Sequence, residues 1–123
     1  MVKKVIRNNQ VAVIYSPGFG AGWYTWNESR FEDENEALKL VFDPILVDLV
    51  KQKEANRFED LDMLNSIHQQ IEKRASEILP DGYFGGVEDL TIQWMPIGTQ
   101  FRIEEYDGSE SILYKENEYW LSA

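Results

Sequence analysis

Short apolar and β-branched runs stand near both ends of the chain, and a segment with helical periodicity separates them. VAVIYS, at residues 11–16, ends at Pro17-Gly18, which is typical of a strand followed by a turn. VIRNN precedes it and predicts a hairpin across Asn8-Asn9-Gln10. Nearer the C-terminus, LTIQWMP, TQFRIEEY and SILY predict three strands, with a tight turn at Asp107-Gly108. WYTW and EYWLSA also have strand-like patterns.

The central segment predicts two long helices. The first runs from about residue 32 to 53, and Asp43-Pro44 within it resembles an N-cap followed by proline at the first helical position. This helix is therefore either kinked at that point or divided into two helices end to end. The second runs from about residue 58 to 79 and ends at Pro80. Its apolar stripe consists of Leu61, Leu64, His68, Ile71, Ala75 and Ile78.

This order of elements predicts an α+β fold, in which N- and C-terminal antiparallel strands pack with two long central helices. The 123 residues suit one domain, residues 1–123, and 43% apolar content is typical of a folded protein. The chain has no apolar run near the length of a membrane span and no signal-peptide pattern. We therefore expect a soluble, cytoplasmic protein with no membrane partner.

The net charge of −10 disfavours duplex nucleic acid as a ligand, because phosphate-backbone binding needs clustered Lys and Arg. A small anion held by one or two arginines is still compatible with this charge. The 22 acidic residues against 12 basic ones also suggest an alternative function. The chain could imitate nucleic acid and inhibit a basic partner protein.

Two glycine-aromatic segments are the most unusual local feature. SPGFGAGWYTWN, at residues 16–27, combines three glycines with Trp23, Tyr24 and Trp26, and DGYFGG, at residues 81–86, contains Tyr83 and Phe84. The spacing fits neither a dinucleotide fingerprint nor a phosphate-binding loop with Lys. Such segments are either turns and caps whose rings fill the core, or ligand loops whose N–H groups bind an anion while the rings stack on a base.

Arg102 lies in a strand where alternation puts Phe101, Ile103 and Glu105 on one face. On the other face, Arg102 either forms a surface ion pair with Glu104 or a cross-strand acid, or holds a phosphate in a bidentate contact. The single histidine, His68, lies in a helical stripe, and the chain has no cysteine. Neither a common zinc site nor a nucleophile-base pair can be assembled from these residues. We therefore expect no enzyme activity, no metal and no cofactor.

These segments follow a fixed order along the chain: AVIYSPGFGAGWYTWN comes first, two long helices follow, and DGYFGG and FRIEEYDGSES lie near the end. This layout resembles that of the phage-encoded Thoeris anti-defence protein 1 family. The resemblance covers essentially the whole chain. It implies a homodimer that binds glycocyclic ADP-ribose, a signal made by bacterial TIR-domain proteins, and sequesters it without cleavage. Some family members assemble further, and some also hold cyclic oligonucleotides at a separate site.

This implied function assigns a role to each candidate residue. A sponge for such a ligand needs rings for adenine, donors for the diphosphate and acceptors for the ribose hydroxyls. The ligand-binding candidates are the rings Trp23, Tyr24, Trp26, Tyr83 and Phe84, the donors Arg102, Gly20 and Gly22, and the acceptors Asn27, Glu104 and Asp107.

The apolar positions of the helices favour a dimer with helical contact between protomers. More such positions are present than one sheet is expected to cover. They include Leu40, Val41, Ile45, Leu46, Leu49, Leu64 and Ile71.

Overall fold

The computed structural model describes residues 2–18, 22–27, 34–56 and 60–115, and the predicted α+β class is confirmed within them. The strands are β1 (Ile6–Arg7), β2 (Gln10–Tyr15), β3 (Thr91–Pro96), β4 (Phe101–Tyr106) and β5 (Ser109–Tyr114). The helices are α1 (Glu34–Phe42), α2 (Pro44–Ala55) and α3 (Leu61–Ile78), with a short 3₁₀ helix at Val87–Asp89. The predicted strand at EYWLSA and the candidate Gly20 lie outside the described residues.

The first sheet is antiparallel, with β2 between β1 and β3. The predicted β1–β2 hairpin is confirmed, and its turn residues Asn8 and Asn9 have φ values of 54° and 64°. Asparagine tolerates this left-handed conformation, which tight hairpin turns require. Four consecutive residues of β2, Val11 to Ile14, are buried because the sheet is covered on both faces.

A separate hairpin of β4 and β5 forms the second sheet. The predicted turn at Asp107-Gly108 is confirmed, with φ values of 51° and 83°. The strand predicted at WYTW is wrong, because residues 23–27 form turns instead. The backbone N–H groups of Trp23 and Thr25 donate to the side chain of Glu110 rather than to a neighbouring strand.

Asp43 divides the first helical segment into two, which decides between the two sequence-based alternatives. Its carboxylate accepts a hydrogen bond from the Leu46 N–H at 3.1 Å, and Pro44 occupies the first position of α2. Arg74 of α3 holds the same carboxylate with two hydrogen bonds of 3.0 and 2.8 Å. A single side chain therefore caps α2 and joins it to α3.

The buried stripe of α3 differs in part from the predicted one. Ile67, Ile71 and Ala75 are buried, whereas Leu61 is 76% exposed. At 3.6 residues per turn, Leu61 lies about 80° around the helix axis from Ile71, and it belongs to the first turn. The prediction that Leu61 belongs to the core stripe is therefore wrong.

Two apolar clusters lie on opposite faces of the first sheet, because alternate residues of β2 point in opposite directions. Ala12 and Ile14 face the larger cluster beneath the helices, while Val11 and Val13 face a smaller cluster beneath the β4–β5 hairpin. Five of the helical positions that favoured a dimer are buried within the protomer: Leu40, Val41, Leu46, Leu49 and Ile71. The argument that one domain cannot cover them is therefore wrong. No helix in the described ranges is both long and apolar enough to cross a membrane.

Candidate functional site

The two glycine-aromatic segments lie against each other. Trp26 stacks on Tyr83 with ring centroids 5.2 Å apart and an interplanar angle of 24°. Trp23 contacts Phe84 at 5.7 Å with a tilt of 51°. Segments that are more than 50 residues apart in the chain therefore form one aromatic unit.

Asn27 joins the two segments of this aromatic unit by hydrogen bonds. The side chain is fully buried, and its Nδ2 donates to the carbonyl oxygens of Trp23, at 2.8 Å, and Tyr83. Its Oδ1 accepts a hydrogen bond from the Tyr83 N–H at 2.8 Å. Because the amide is satisfied within the protein, Asn27 joins the two segments and does not face a ligand.

Several predicted ring and glycine positions serve the core. Trp23 is fully buried, and its Nε1 donates to the Leu40 carbonyl at 2.7 Å. Phe84 is half-buried and packs against the larger apolar cluster. A Cβ at Gly22 would collide with the Trp26 ring. For Gly22, Trp23 and Phe84, the structure favours the core interpretation over the ligand-loop interpretation.

The N–H groups of the first segment do turn toward an anion, but the anion is the carboxylate of Glu110. Its Oε1 accepts from the Ser16 N–H at 2.9 Å, and its Oε2 accepts from the N–H groups of Trp23 and Thr25 at 3.0 and 2.9 Å. The Thr25 hydroxyl adds a fourth hydrogen bond of 2.9 Å to Oε2. Sequence reasoning missed Glu110, although its pairing with Glu105 puts it on the face that alternation assigned to Phe101 and Ile103.

A cavity of about 320 Å³ lies between the β4–β5 hairpin and the rest of the fold. Two cationic and three aromatic side chains contribute to its lining, together with aliphatic ones. The lining consists of Lys4, Tyr24, Leu38, Val41, Phe42, Phe101, Arg102 and Ile103. Cations and rings in one cavity are suited to a ligand that carries both negative charge and a flat base.

A smaller cavity of about 180 Å³ shares Phe101 and Arg102 with the first. It adds Lys115 at the end of the hairpin, so three cationic residues line the two adjoining cavities. This concentration of positive charge stands out in a chain whose net charge is −10. The two cavities together form the candidate anion site.

The structure brings Tyr24 and Arg102 to the same cavity. The Arg102 side chain is 61% exposed, and its Nε lies 3.0 Å from Oε1 of Glu104, as the surface-pair alternative predicted. An exposed pair of this kind contributes little stability, so Arg102 can exchange Glu104 for a ligand phosphate. Asp107 is exposed in the hairpin turn. Trp26 and Tyr83 are 41% and 46% exposed and form a stacked pair at the surface.

A larger cavity, of about 610 Å³, lies between the C-terminal part of α2, the N-terminal half of α3 and the start of β3. Its lining includes Lys53 and His68, but also Glu54, Glu88 and Asp89. Burial, and secondarily the charge of Lys53, lower the pKa of His68 below its ordinary value of 6.5. Three carboxylates in the lining make this cavity less suitable for an anion than the smaller pair.

The fold and the site define a small α+β protein with a cationic, aromatic-lined cavity beneath a β-hairpin. No protein-family model, curated protein or solved structure matches the chain. Within the described ranges, no group of three or more His, Cys, Asp or Glu side chains is arranged to hold a metal ion.

Proposed function

We propose that this protein binds a glycocyclic ADP-ribose signal and sequesters it without cleaving it, in the cytoplasm of the host cell. The observation that carries the proposal is the cavity in which Lys4 and Arg102 stand beside the rings of Tyr24, Phe42 and Phe101. The resemblance to the Thoeris anti-defence protein 1 family supports the same ligand class.

The parts of the ligand match the parts of the cavity. Arg102 and Lys4 are donors for the diphosphate, because charge-assisted hydrogen bonds to phosphate oxygens are among the stronger polar contacts. Tyr24 and Phe101 offer rings for adenine, and base–aromatic stacking contributes about 1–3 kcal/mol per base. A volume of 320 Å³ is near the lower end for small-molecule sites, so the ligand extends toward the adjoining cavity.

Removing the shared arginine tests the binding site. We expect Arg102→Ala to weaken binding of glycocyclic ADP-ribose by about 1.5–3 kcal/mol, or roughly 10- to 150-fold, measured by calorimetry. Glu104→Gln is the matched control, because it removes the ion-pair partner of Arg102 and leaves the cation in place. Its affinity should equal or exceed that of the wild type. Unchanged affinity in Arg102→Ala would show that Arg102 is only a surface residue.

The fate of the ligand tests sequestration. The only histidine, His68, lines the larger cavity rather than the candidate site, and the sequence has no cysteine. We therefore expect one site to remove at most one signal molecule from solution. After heat denaturation, mass spectrometry of the supernatant should recover intact ligand in an amount equal to the sites denatured. Recovery of linear ADP-ribose would identify an enzyme instead.

The exposed acidic tip of the β4–β5 hairpin favours the alternative, an inhibitor that binds a basic protein. Glu104, Glu105 and Asp107 are exposed there, and Tyr106 between them is 78% exposed. Binding to a basic nuclease that weakens steeply with salt, together with no affinity for any glycocyclic ADP-ribose isomer, would support this alternative.

A further inference from the structure

The two walls of the candidate cavity come from different parts of the fold. Tyr24 and Phe42 belong to the body of the protein, whereas Phe101, Arg102 and Ile103 belong to the β4–β5 hairpin. The hairpin forms its own two-stranded sheet. The distance between the ring of Tyr24 and the cation of Arg102 therefore depends on how the hairpin is attached.

One attachment is apolar. Phe101, Ile103, Ile112 and Tyr114 pack against the smaller cluster, and Phe101 meets Phe42 edge-on at 6.3 Å. Apolar contact stabilises the docked hairpin, but it is non-directional. It does not by itself define one position of the hairpin along the body.

The other attachment is polar and directional, and it is centred on Glu110 of β5. The carboxylate accepts the four hydrogen bonds from Ser16, Trp23 and Thr25 described above, while the Glu110 N–H donates to the Ser16 carbonyl at 2.8 Å. The neighbouring Ser109 hydroxyl donates to the Pro17 carbonyl at 2.6 Å. These bonds fix the tip of the hairpin against the segment that follows β2.

The carboxylate also fixes Tyr24. Two of its donors are the N–H groups of Trp23 and Thr25, the residues on either side of Tyr24. Glu110 is 1% exposed and does not line the cavity, so its action on a ligand is indirect. The Glu110 side chain, which belongs to the hairpin, therefore fixes the backbone on both sides of Tyr24, whose ring lies on the opposite wall of the cavity.

We propose that Glu110 is the positioning residue of this cavity, which holds Tyr24 and Arg102 at the separation that ligand binding requires. The inference rests on the proposed function for its ligand. A carboxylate is needed because four donors converge on it, whereas a glutamine would offer one acceptor oxygen and turn an NH₂ group toward these donors.

The test compares Glu110→Gln with Glu105→Gln, which removes the same charge from the exposed residue that pairs with Glu110 across the hairpin. Affinity for glycocyclic ADP-ribose is measured by calorimetry, and amide hydrogen exchange is followed in the ligand-free protein. We expect Glu110→Gln to weaken binding about 10-fold or more and to speed exchange at the Trp23 and Thr25 amides. The Val13 amide in β2 should be unaffected, and Glu105→Gln should change neither measurement.

Chemical rescue separates positioning from a general loss of stability. Glu110→Ala removes a group equivalent to acetate, so added acetate should restore ligand affinity and the protection of both amides. Acetamide, the neutral analogue at equal concentration, should not. Ser109→Ala is a milder change at the same junction, and we expect a loss of affinity of about 2- to 5-fold with an unchanged unfolding midpoint.

The outcomes distinguish this inference from the proposed function. Wild-type protein that binds no isomer would overturn the proposed function, and the exchange measurements would still decide the role of Glu110. Unchanged exchange at Trp23 and Thr25 in Glu110→Gln, or full affinity of Glu110→Ala without acetate, would overturn the inference. If Glu110→Ala folds only with acetate, loss of affinity in Ser109→Ala would support the inference and wild-type affinity would overturn it.

Discussion

At the scale of single residues, two buried carboxylates connect distant segments of the chain. Asp43 is 7% exposed and Glu110 is 1% exposed, and each is satisfied by partners from other elements. A buried charge is costly unless it is paired and hydrogen-bonded, so these partners are required for the fold. Asp43 and Glu110 define where the helices and the hairpin dock.

The environment of Asp43 predicts how the stability of the fold depends on pH. Burial alone would raise the pKa of Asp43, but the hydrogen bonds from Arg74 and Leu46 together lower it below its ordinary value of 3.8. The unfolded chain therefore takes up the proton first as pH falls. The stabilisation is fully present above about pH 4 and is lost as pH falls through the lowered pKa.

We expect Arg74→Met to lower the free energy of unfolding by about 1.5–3 kcal/mol at pH 7, and by less as pH falls through the lowered pKa of Asp43. Urea unfolding over a series of pH values from neutral to acid measures this trend. Lys73→Met is the control, since it removes the neighbouring exposed cation of α3. A loss for Arg74→Met that stays the same as pH falls through the acid range would contradict the assignment.

At the scale of elements, local chemistry determines where helices and strands begin and end, whereas tertiary contacts determine which of their faces are buried. The turns at Asn8-Asn9 and Asp107-Gly108 and the cap at Asp43 were predictable because their causes lie within a few residues. The buried face of α3 was only partly predictable. An apolar residue in the first turn, such as Leu61, fits the helical periodicity even when no neighbouring element covers it. The pattern alone therefore cannot show that it is buried.

The stripe of α3 can be tested with a matched pair of truncations. Ile71 is fully buried and Leu61 is 76% exposed, although both belong to the predicted stripe. We expect Ile71→Ala to cost about 2–5 kcal/mol in urea unfolding, because it leaves a cavity in the core. Leu61→Ala should stay within about 0.5 kcal/mol of the wild type. Similar losses for both variants would place Leu61 in a buried interface.

At the scale of the whole molecule, the homodimer stays a prediction. The buried helix positions cannot form its interface without unfolding, so a helical contact would use exposed residues such as Ile45, which is 51% exposed on α2. Ile45 borders a groove between α2 and α3 that is also lined by Leu49 and Gln70. A second copy placed there would cover an apolar side chain that one protomer leaves exposed.

We expect light scattering at micromolar concentration to give the mass of a dimer, and Ile45→Lys to give the mass of a monomer, because a buried ammonium group opposes association. Ile6→Lys is the control, since Ile6 is 57% exposed on β1 and does not line the groove at Ile45. A monomeric mass for the wild type would contradict the dimer. A dimeric mass for Ile45→Lys would show that the interface lies elsewhere on the protein.

The sequence by itself determined the order of strands and helices, the α+β class, the hairpin turns and the cap at Asp43. These features follow from the periodicity of apolar residues and from side chains that act on their own backbone. It also singled out the two glycine-aromatic segments, since both combine glycine with flat rings.

Only the tertiary structure decided which of those rings face the core, which anion the loop N–H groups bind and where the cavity lies. Glu110 accepts hydrogen bonds from N–H groups that are 85 to 94 residues earlier in the chain. A local sequence pattern cannot predict a contact over such a separation. Trp23 is core and Trp26 is surface although they are three residues apart, because Leu40 and Phe84 cover Trp23. Burial and long-range hydrogen bonds depend on which segments meet, and that is decided by the packing of the whole chain.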